Sequence, residues 1–218
     1  MKRLILFFFT CLFIHDSSAQ GIDPLLLEVR QRMDELVEAR ASAELILDVD
    51  FIKMPKKYAD IHYRKGQPVS YTSDNFIIIP KKGLDFSWSE LFRYDFMTVD
   101  RGTESVDGHV LKVLNIIPLD KKADFAIMTL KLDTMLMHIR EAEITTKNEG
   151  SYRLLFGYAG PTLFPNQVVV EFELAKIKIP LSFMGKDSEI DKAQLKSDGL
   201  KKGSITLNLD WREIVMEE

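Results

Sequence analysis

The feature that most constrains this chain is the spacing of its apolar residues, which changes from helical to alternating near residue 44. Over residues 44–51 a large apolar side chain stands at every second position, which is typical of a strand buried on one face. About ten strands of this kind follow one another with no βαβ rhythm. The clearest later examples are residues 96–99, 109–117, 125–132, 135–146, 151–158, 168–179 and 205–211. The sequence therefore predicts a mainly β fold, built on one strongly curved antiparallel sheet that is open or closed.

Two segments depart from the alternation and are predicted to be helical. Asp23 is a plausible N-cap and Pro24 suits the first helical position, after which apolar residues recur at helical spacing to about Arg40. Residues 87–90 fit the capping box of a short helical insert. Short amphipathic helices are marginal alone in water, so we expect both to pack on the sheet as lids. Their candidate lid residues are Leu26, Val29, Met33, Leu36, Trp88, Leu91 and Phe92.

The first nineteen residues have the pattern of a cleavable secretory signal. Two basic residues precede an unbroken apolar run over residues 4–14, and small residues stand just before Gln20. That run is shorter than the roughly 20 residues that a membrane-spanning helix needs. We therefore expect residues 1–19 to be removed, the mature chain to be periplasmic, and residues 20–218 to form a single domain.

The lone cysteine bears on both anchoring and chemistry. An acylated Cys11 would make the chain a lipoprotein, but Cys11 lies inside the apolar run and its neighbours form a poor lipobox. If it leaves with the signal, the mature chain has no thiol for a disulfide, a nucleophile or a metal ligand. Losing two basic residues and one acidic residue also changes the net charge from −4 to −5. Such acidity disfavours a nucleic-acid partner.

Signals for catalysis or for metal binding are weak. The sequence has no G-x-S-x-G, H-E-x-x-H or P-loop motif. His62, His109 and His138 each stand alone on a predicted strand, so we interpret them as surface or hydrogen-bonded histidines rather than metal ligands. We expect neither a cofactor nor a metal.

Paired carboxylates are the remaining candidates for chemistry. Asp48 and Asp50 could hold a cation, and Glu171 and Glu173 show the same spacing. Alternation alone predicts such acids on a solvated outer face, and acid–base work needs burial that separates their pKa values. We therefore expect that the protein is not an enzyme. A hydrolase that uses scattered carboxylates stays open as an alternative if two of them meet in one buried cleft.

The alternation also predicts one apolar face of the sheet. This face is either a filled hydrophobic core or a partly vacant cavity for an apolar ligand. Methionines suit both interpretations, because their side chains adapt to irregular shapes. The predicted inward residues are Leu45, Leu47, Val49, Phe51, Ile61, Tyr63, Met128, Leu130, Leu132, Met135, Met137, Ile139, Tyr152, Leu154, Phe156, Tyr158, Val168, Val170, Phe172 and Leu174.

Several segments carry a family resemblance. An amphipathic helix (PLLLEVRQRMDELVEAR) leads into a strand and a basic, Pro-containing bend (ILDVDFIKMPKKYADIHYRKG), then into FIIIPKKG. The best stretch is NIIPLDKKADFAIMTLKLDTMLMHIREAEITTKNEGSYRLLFGY, followed by LFPNQVVVEF. In these segments the chain resembles, in a divergent form, the LolA-like outer-membrane lipoprotein carriers and lipoprotein-sorting proteins. The charged residues 185–203, a loop or a short helix ending near residue 199, depart from the shortest carriers.

The resemblance implies a fold and a task. It implies an unclosed half-barrel, with helices covering the concave apolar face. It implies lipid or lipoprotein acyl chains as ligands, membrane-associated donor and acceptor proteins as partners, and sorting to the outer membrane. Relatives of this shape also serve as envelope sensors or interaction proteins, so that alternative stays open.

Overall fold

The computed structural model describes residues 21–67, 69–73, 94–148, 150–160, 162–174, 187–196 and 198–217. Its strands are β1 (Leu36–Asp48), β2 (Ile52–Lys53), β3 (Lys57–Arg64), β4 (Ser70–Thr72), β5 (Phe96–Val106), β6 (His109–Pro118), β7 (Phe125–Asp133), β8 (Ile139–Thr146), β9 (Gly150–Gly157), β10 (Gln167–Leu174), β11 (Glu189–Ile190) and β12 (Lys201–Met216). The helices are α1 (Pro24–Asp34) and α2 (Lys192–Lys196).

Ten of these strands form one antiparallel sheet. Their order is β4-β3-β1-β12-β10-β9-β8-β7-β6-β5, and β4 and β5, at the two ends, do not pair with each other. The pair β11-β2 forms a separate small sheet beside it. The mainly β fold predicted from the alternation is confirmed, and the sheet is unclosed, as the family resemblance implies.

Helix α1 begins where the sequence predicts but ends earlier. The Asp23 carboxylate accepts a hydrogen bond from the Leu25 N–H at 3.0 Å, and proline stands at the start of the helix. The predicted end near Arg40 is wrong, because α1 ends at Asp34 and β1 starts at Leu36. Residues 36–40 fit both the helical and the alternating spacing of apolar residues. They form a strand because their backbone pairs with β12 and β3. Leu36 is therefore not a lid residue.

The predicted strand over residues 135–146 is also too long. Residues 134–136 form a turn after β7, and β8 begins only at Ile139. The Asp133 carboxylate accepts hydrogen bonds from the N–H groups of Met135 and Leu136, at 3.0 and 2.9 Å, which closes the turn. Met135 is 82% exposed at its tip, so its predicted place on the inner face is wrong.

The charged segment, residues 185–203, has the short helix that was one of the two predictions, and it also has a two-residue strand that was not predicted. It contains β11 and the five-residue helix α2, which ends at Lys196 rather than near residue 199. The last strand starts at Lys201 and runs to Met216, well beyond the predicted residues 205–211. The predicted strand over residues 76–79 and the insert with Trp88, Leu91 and Phe92 lie outside the described residues.

The main hydrophobic core lies between α1 and the sheet. Leu26 and Val29 of α1 are buried against it, and Leu114, Leu130 and Leu132 are among its fully buried strand residues. Full burial of one such side chain contributes about 1.5–3 kcal/mol, so this contact can hold a helix that would be marginal alone. A second, smaller cluster joins Leu36, Ala39 and Phe164, with Tyr63, Leu163, Trp211 and Met216 packed against it.

Candidate ligand-binding face

The inner face of the sheet follows from the strand register. Residues directly opposite one another on neighbouring strands point to the same face, so each register row can be traced from strand to strand. The longest row is apolar across β6, β7, β8, β9, β10, β12 and β1, and on β5 it ends at Asp100, which lies opposite Leu114. In that order it consists of Leu114, Leu130, Ala142, Leu154, Val170, Ile205 and Leu47.

Two further rows run parallel to the first. One consists of Ile116, Met128, Ile144, Tyr152, Phe172 and Gly203, from β6 to β12. The other consists of Phe156, Val168, Leu207, Leu45 and Lys57, from β9 to β3. Together the three rows give the sheet one broad apolar face, interrupted at one end by a lysine.

Most of the predicted inward residues lie on this face or in the core that it forms. The residues that belong to or pack against the main core are Leu45, Leu47, Val49, Phe51, Met128, Leu130, Leu132, Met137, Ile139, Tyr152, Leu154, Phe156, Val168, Val170 and Phe172. Tyr63 packs instead on the second cluster, and Ile61 lies half-buried opposite Ala41. Of the predicted lid residues, Leu26 and Val29 are buried, and Met33 is half-buried against the core.

The sequence interpretation missed a row of alanines on β1. Ala39, Ala41 and Ala43 are buried, and they share the inner face with Trp211 and Leu209 of β12. Their alternation with polar residues in residues 39–44 was a visible signal, but a methyl group gives only a weak apolar signal and the predicted helix ended only near Arg40. Alanine presents a single methyl group, so this part of the inner face lies lower than the large side chains beside it.

Polar contacts hold the first turn of α1 to the inner face. Lys112 of β6 lies opposite the inward Leu132, and its ammonium donates to the Asp23 carboxylate at 2.6 Å. The Asp23 N–H donates to the Thr98 hydroxyl at 2.8 Å, and that hydroxyl donates to the Gly21 carbonyl at 2.9 Å. The nearby Asp23 carboxylate raises the pKa of Lys112. The helix is therefore fixed by charge at its start and by apolar packing along its length.

A second charged contact lies at the opposite end of the inner face. Lys57 is 2% exposed and donates to both carboxylate oxygens of Asp187, at 2.5 and 2.6 Å. The pair joins β3 to the segment that leads into β11. The ammonium lowers the pKa of Asp187 through these hydrogen bonds. Nothing in the alternation of the sequence predicted a buried lysine.

A polar cluster surrounds the turn between β7 and β8. Asp133 is fully buried, and its Oδ2 lies 2.7 Å from His109 Nδ1 and 3.9 Å from Arg140 Nε. Hydrogen bonds from the backbone of the turn, together with His109, outweigh burial and lower the pKa of Asp133.

The three histidines differ more than the sequence suggests. His62 lies 2.7 Å from the Glu38 carboxylate on the outer face. His138 is buried, and its Nδ1 has no hydrogen-bond partner among the residues that the structure describes. The ring also has a hydrogen bond with the Thr162 backbone, so His138 is a buried, partly hydrogen-bonded histidine and not a surface one.

The candidate carboxylate pairs lie away from the inner face. Asp48 and Asp50 are exposed at the end of β1 and in the turn beyond it. Glu171 and Glu173 lie on the outer face of β10, where they contact Arg153 and Lys202.

In the part of the chain that the structure describes, no group of three or more His, Cys, Asp or Glu side chains is arranged to hold a metal ion. Neither helix there is long and apolar enough to span a bilayer.

The chain thus has the architecture of an open antiparallel sheet with a helix packed on its apolar face. No family model matches it, and neither does any curated protein. It is similar to the solved structure of a putative outer membrane lipoprotein-sorting protein domain from Vibrio parahaemolyticus, at 15% identity and a TM-score of 0.48. That match covers 86% of this chain and 90% of the other.

Two other solved structures are similar over a comparable length. A LolA superfamily protein from Nitrosomonas europaea has 9% identity and a TM-score of 0.45, with 88% of this chain and 93% of the other covered. A DUF1329 family protein from Desulfovibrio piger has 12% identity and a TM-score of 0.46, with 88% and 90% covered. The first two structures bear the name of the family that the sequence resembles. All three TM-scores lie below 0.5, so the functional proposal rests on the residues of this chain.

Proposed function

We propose that this protein is a periplasmic carrier that holds lipid or lipoprotein acyl chains on its apolar inner face, for sorting to the outer membrane. The observation that carries the proposal is the register row from Leu114 to Leu47, which is apolar on seven consecutive strands. A single curved sheet with so continuous an apolar face needs a cover. Helix α1 supplies part of that cover through Leu26 and Val29.

Affinity for an acyl chain follows from the burial of its CH₂ groups alone, and no covalent step is required. Each buried CH₂ group contributes about 0.8 kcal/mol, so one long chain can be drawn from a membrane. Because α1 occupies part of the same face, a ligand competes with the helix, and the competition keeps net binding reversible. Delivery and collection would take place at membrane-associated donor and acceptor proteins, after export through the signal at residues 1–19.

The test is to purify the mature chain, extract it with organic solvent and examine the extract by mass spectrometry. We expect acyl lipid or an acylated peptide at a fixed ratio to protein. Fatty acids and acylated peptides should also displace a hydrophobic dye from the extracted protein. Repeated absence of lipid, together with no displacement of the dye, would exclude a carrier.

One observation favours a second candidate, an envelope sensor or interaction protein. Met135, Leu136 and Val110 are exposed at two neighbouring strand ends, and the Thr134 N–H donates to the Val110 carbonyl to hold these ends together. Such an apolar tip could contact a protein partner. A stable complex with a membrane protein that is lost in Met135→Gln, without co-purified lipid, would favour this candidate.

A further inference from the structure

Lys57 places a positive charge inside an otherwise apolar row. The row runs Phe156, Val168, Leu207, Leu45 and then Lys57 at the edge of the inner face. A strand position of this kind normally carries an apolar side chain, because burying an ion costs several kcal/mol unless a partner compensates. A buried lysine here therefore requires an anion beside it.

Asp187 is that anion in this structure, and its situation differs from that of Lys57. The Asp187 side chain is 50% exposed, whereas the Lys57 side chain is 2% exposed. Both recorded hydrogen bonds of the ammonium go to this one carboxylate. Asp187 can return to water at little cost, but Lys57 cannot, so the cation keeps a need for an anion when Asp187 leaves.

Among the described residues, the segment that carries Asp187 meets the core through a short strand pair, a backbone hydrogen bond and partly buried side chains. Glu189 and Ile190 pair with the two-residue strand β2, and the Asp191 N–H donates to the Phe51 carbonyl at 2.9 Å. Ile190 and Leu195 pack against the core only partly buried. Short pairing of this kind belongs to the parts of a fold that open locally at low cost.

We propose that Lys57 binds the anionic head group, a carboxylate or a phosphate, of the acyl ligand, and that Asp187 occupies the same place in the empty protein. The inference rests on the proposed function and adds the polar end of the ligand. From Lys57 the row crosses four strand spacings of about 4.8 Å, or about 19 Å, which is the order of length of an extended long acyl chain. One head group at Lys57 and one chain toward Phe156 would therefore occupy the whole row.

The experiment compares ligands that share one chain and differ in the head group. Hexadecanoic acid, hexadecyl phosphate and methyl hexadecanoate are titrated against a dye bound to the delipidated full mature chain. We expect the two anionic ligands to bind at least about tenfold more tightly than the ester, as a charge-assisted hydrogen bond allows. In Lys57→Met the preference should disappear. In Lys56→Met, which alters the neighbouring exposed lysine that pairs with Glu44, it should remain.

A second variant separates head-group binding from a structural ion pair. Asp187→Asn removes the competing carboxylate and should increase the affinity for both anionic ligands, opposite to the effect of Lys57→Met. If the pair only fixes the segment to β3, both variants will weaken the binding of all three ligands alike, and the inference is overturned. Acetate and inorganic phosphate alone should not displace the dye at the same concentrations; displacement would mean that a free anion, not a lipid head group, is bound, which also overturns it.

The outcomes distinguish this inference from the function on which it rests. Equal binding of acid, phosphate and ester by the unaltered protein would overturn the role of Lys57 and leave the carrier intact. No binding of any of the three would contradict the carrier itself.

Discussion

The imidazole of His138 stacks on the ring of Tyr158, with ring centroids 3.9 Å apart and planes 10° from parallel. The Tyr158 hydroxyl donates to the Ile139 carbonyl at 2.9 Å, and burial raises the pKa of that hydroxyl. Arg140 lies with its guanidinium carbon 5.9 Å from the centre of the Tyr158 ring. The buried stack joins the start of β8 to the residue after β9, so it fixes the edge of the inner face at the turn.

This stack predicts a pH dependence of stability. Burial, and then the charge of Arg140, lower the pKa of His138 below its ordinary value of 6.5. The unfolded chain therefore binds a proton near pH 6.5 that the folded chain does not bind. The stability tied to neutral His138 is complete above pH 6.5 and is lost as the pH falls through the lower pKa of the folded protein. Urea unfolding at pH 7.5 and pH 5.5 measures the difference.

The variant His138→Phe keeps an aromatic ring for the stack and removes the titrating group. We expect its free energy of unfolding to change less between the two pH values than that of the unaltered protein. Asp133 should contribute little between these two pH values, because the folded protein lowers the pKa of this already acidic carboxyl. An unchanged slope in His138→Phe would show that another group controls the pH response.

A second prediction concerns the turn that presents Met135. Asp133→Ala leaves the N–H groups of Met135 and Leu136 without their acceptor, and it leaves His109 without its carboxylate. Each buried polar group that loses its partner costs about 1–3 kcal/mol, so we expect a loss of about 2–4 kcal/mol in the free energy of unfolding. Chemical denaturation measures it. Glu143→Ala, on the exposed face of β8, is the control and should change stability by less than about 0.5 kcal/mol.

Gly203 permits a close approach of β12 to the end of β1. A Cβ atom at this position would lie 2.6 Å from Val49 Cγ2, 2.8 Å from the Asp48 carbonyl oxygen and 2.9 Å from Phe172 Cζ. Because the carbonyl is fixed by the strand, we expect Gly203→Ala to destabilise the protein by about 1–3 kcal/mol. Gly157→Ala is the matched control, since its nearest neighbour would be Gln167 Cβ at an ordinary 3.4 Å. Equal thermal midpoints for the two variants would contradict this account.

The sequence predicted the strands where alternation was regular and unopposed. Residues 125–132 are such a case, and β7 covers them as Phe125–Asp133. The prediction failed where a segment fits both the helical and the alternating spacing, as at residues 36–40. There the secondary structure depends on pairing with neighbouring strands, which the local sequence does not show. The prediction also failed at Met135, because the buried Asp133 carboxylate closes a turn there.

The candidate site was predictable in its apolar part and not in its polar part. The row that includes Leu130, Leu154 and Val170 follows directly from alternation. Lys57 could not be predicted, because its burial depends on Asp187, 130 residues away. Alanines of β1 were overlooked because a small side chain gives only a weak apolar signal in any period.

The alanine row of β1 supplies a test of where the bound acyl chain lies. Ala41→Leu enlarges a side chain on the inner face, whereas Ser42→Leu adds the same side chain to the outer face of the same strand. We expect Ala41→Leu to reduce the affinity for hexadecanoic acid about tenfold, because leucine would fill space used by ligand. Because Ala41 is already buried, we also expect a loss of about 1–3 kcal/mol in the free energy of unfolding. Ser42→Leu should bind as the unaltered protein does. A loss of stability in Ala41→Leu without any loss of affinity would show that the space is already packed.

The most direct measurement locates a bound acyl chain on the sheet. Hexadecanoic acid with a photoreactive diazirine at mid-chain is bound to the delipidated mature protein and irradiated, and the modified residues are identified by peptide mass spectrometry. The account predicts crosslinks to inward residues of β1, β10 and β12, such as Leu45, Val168 and Leu207, and their loss when unlabelled acid competes. Crosslinks confined to outward residues such as Tyr58 and Glu171, or labelling that competitor does not reduce, would contradict it.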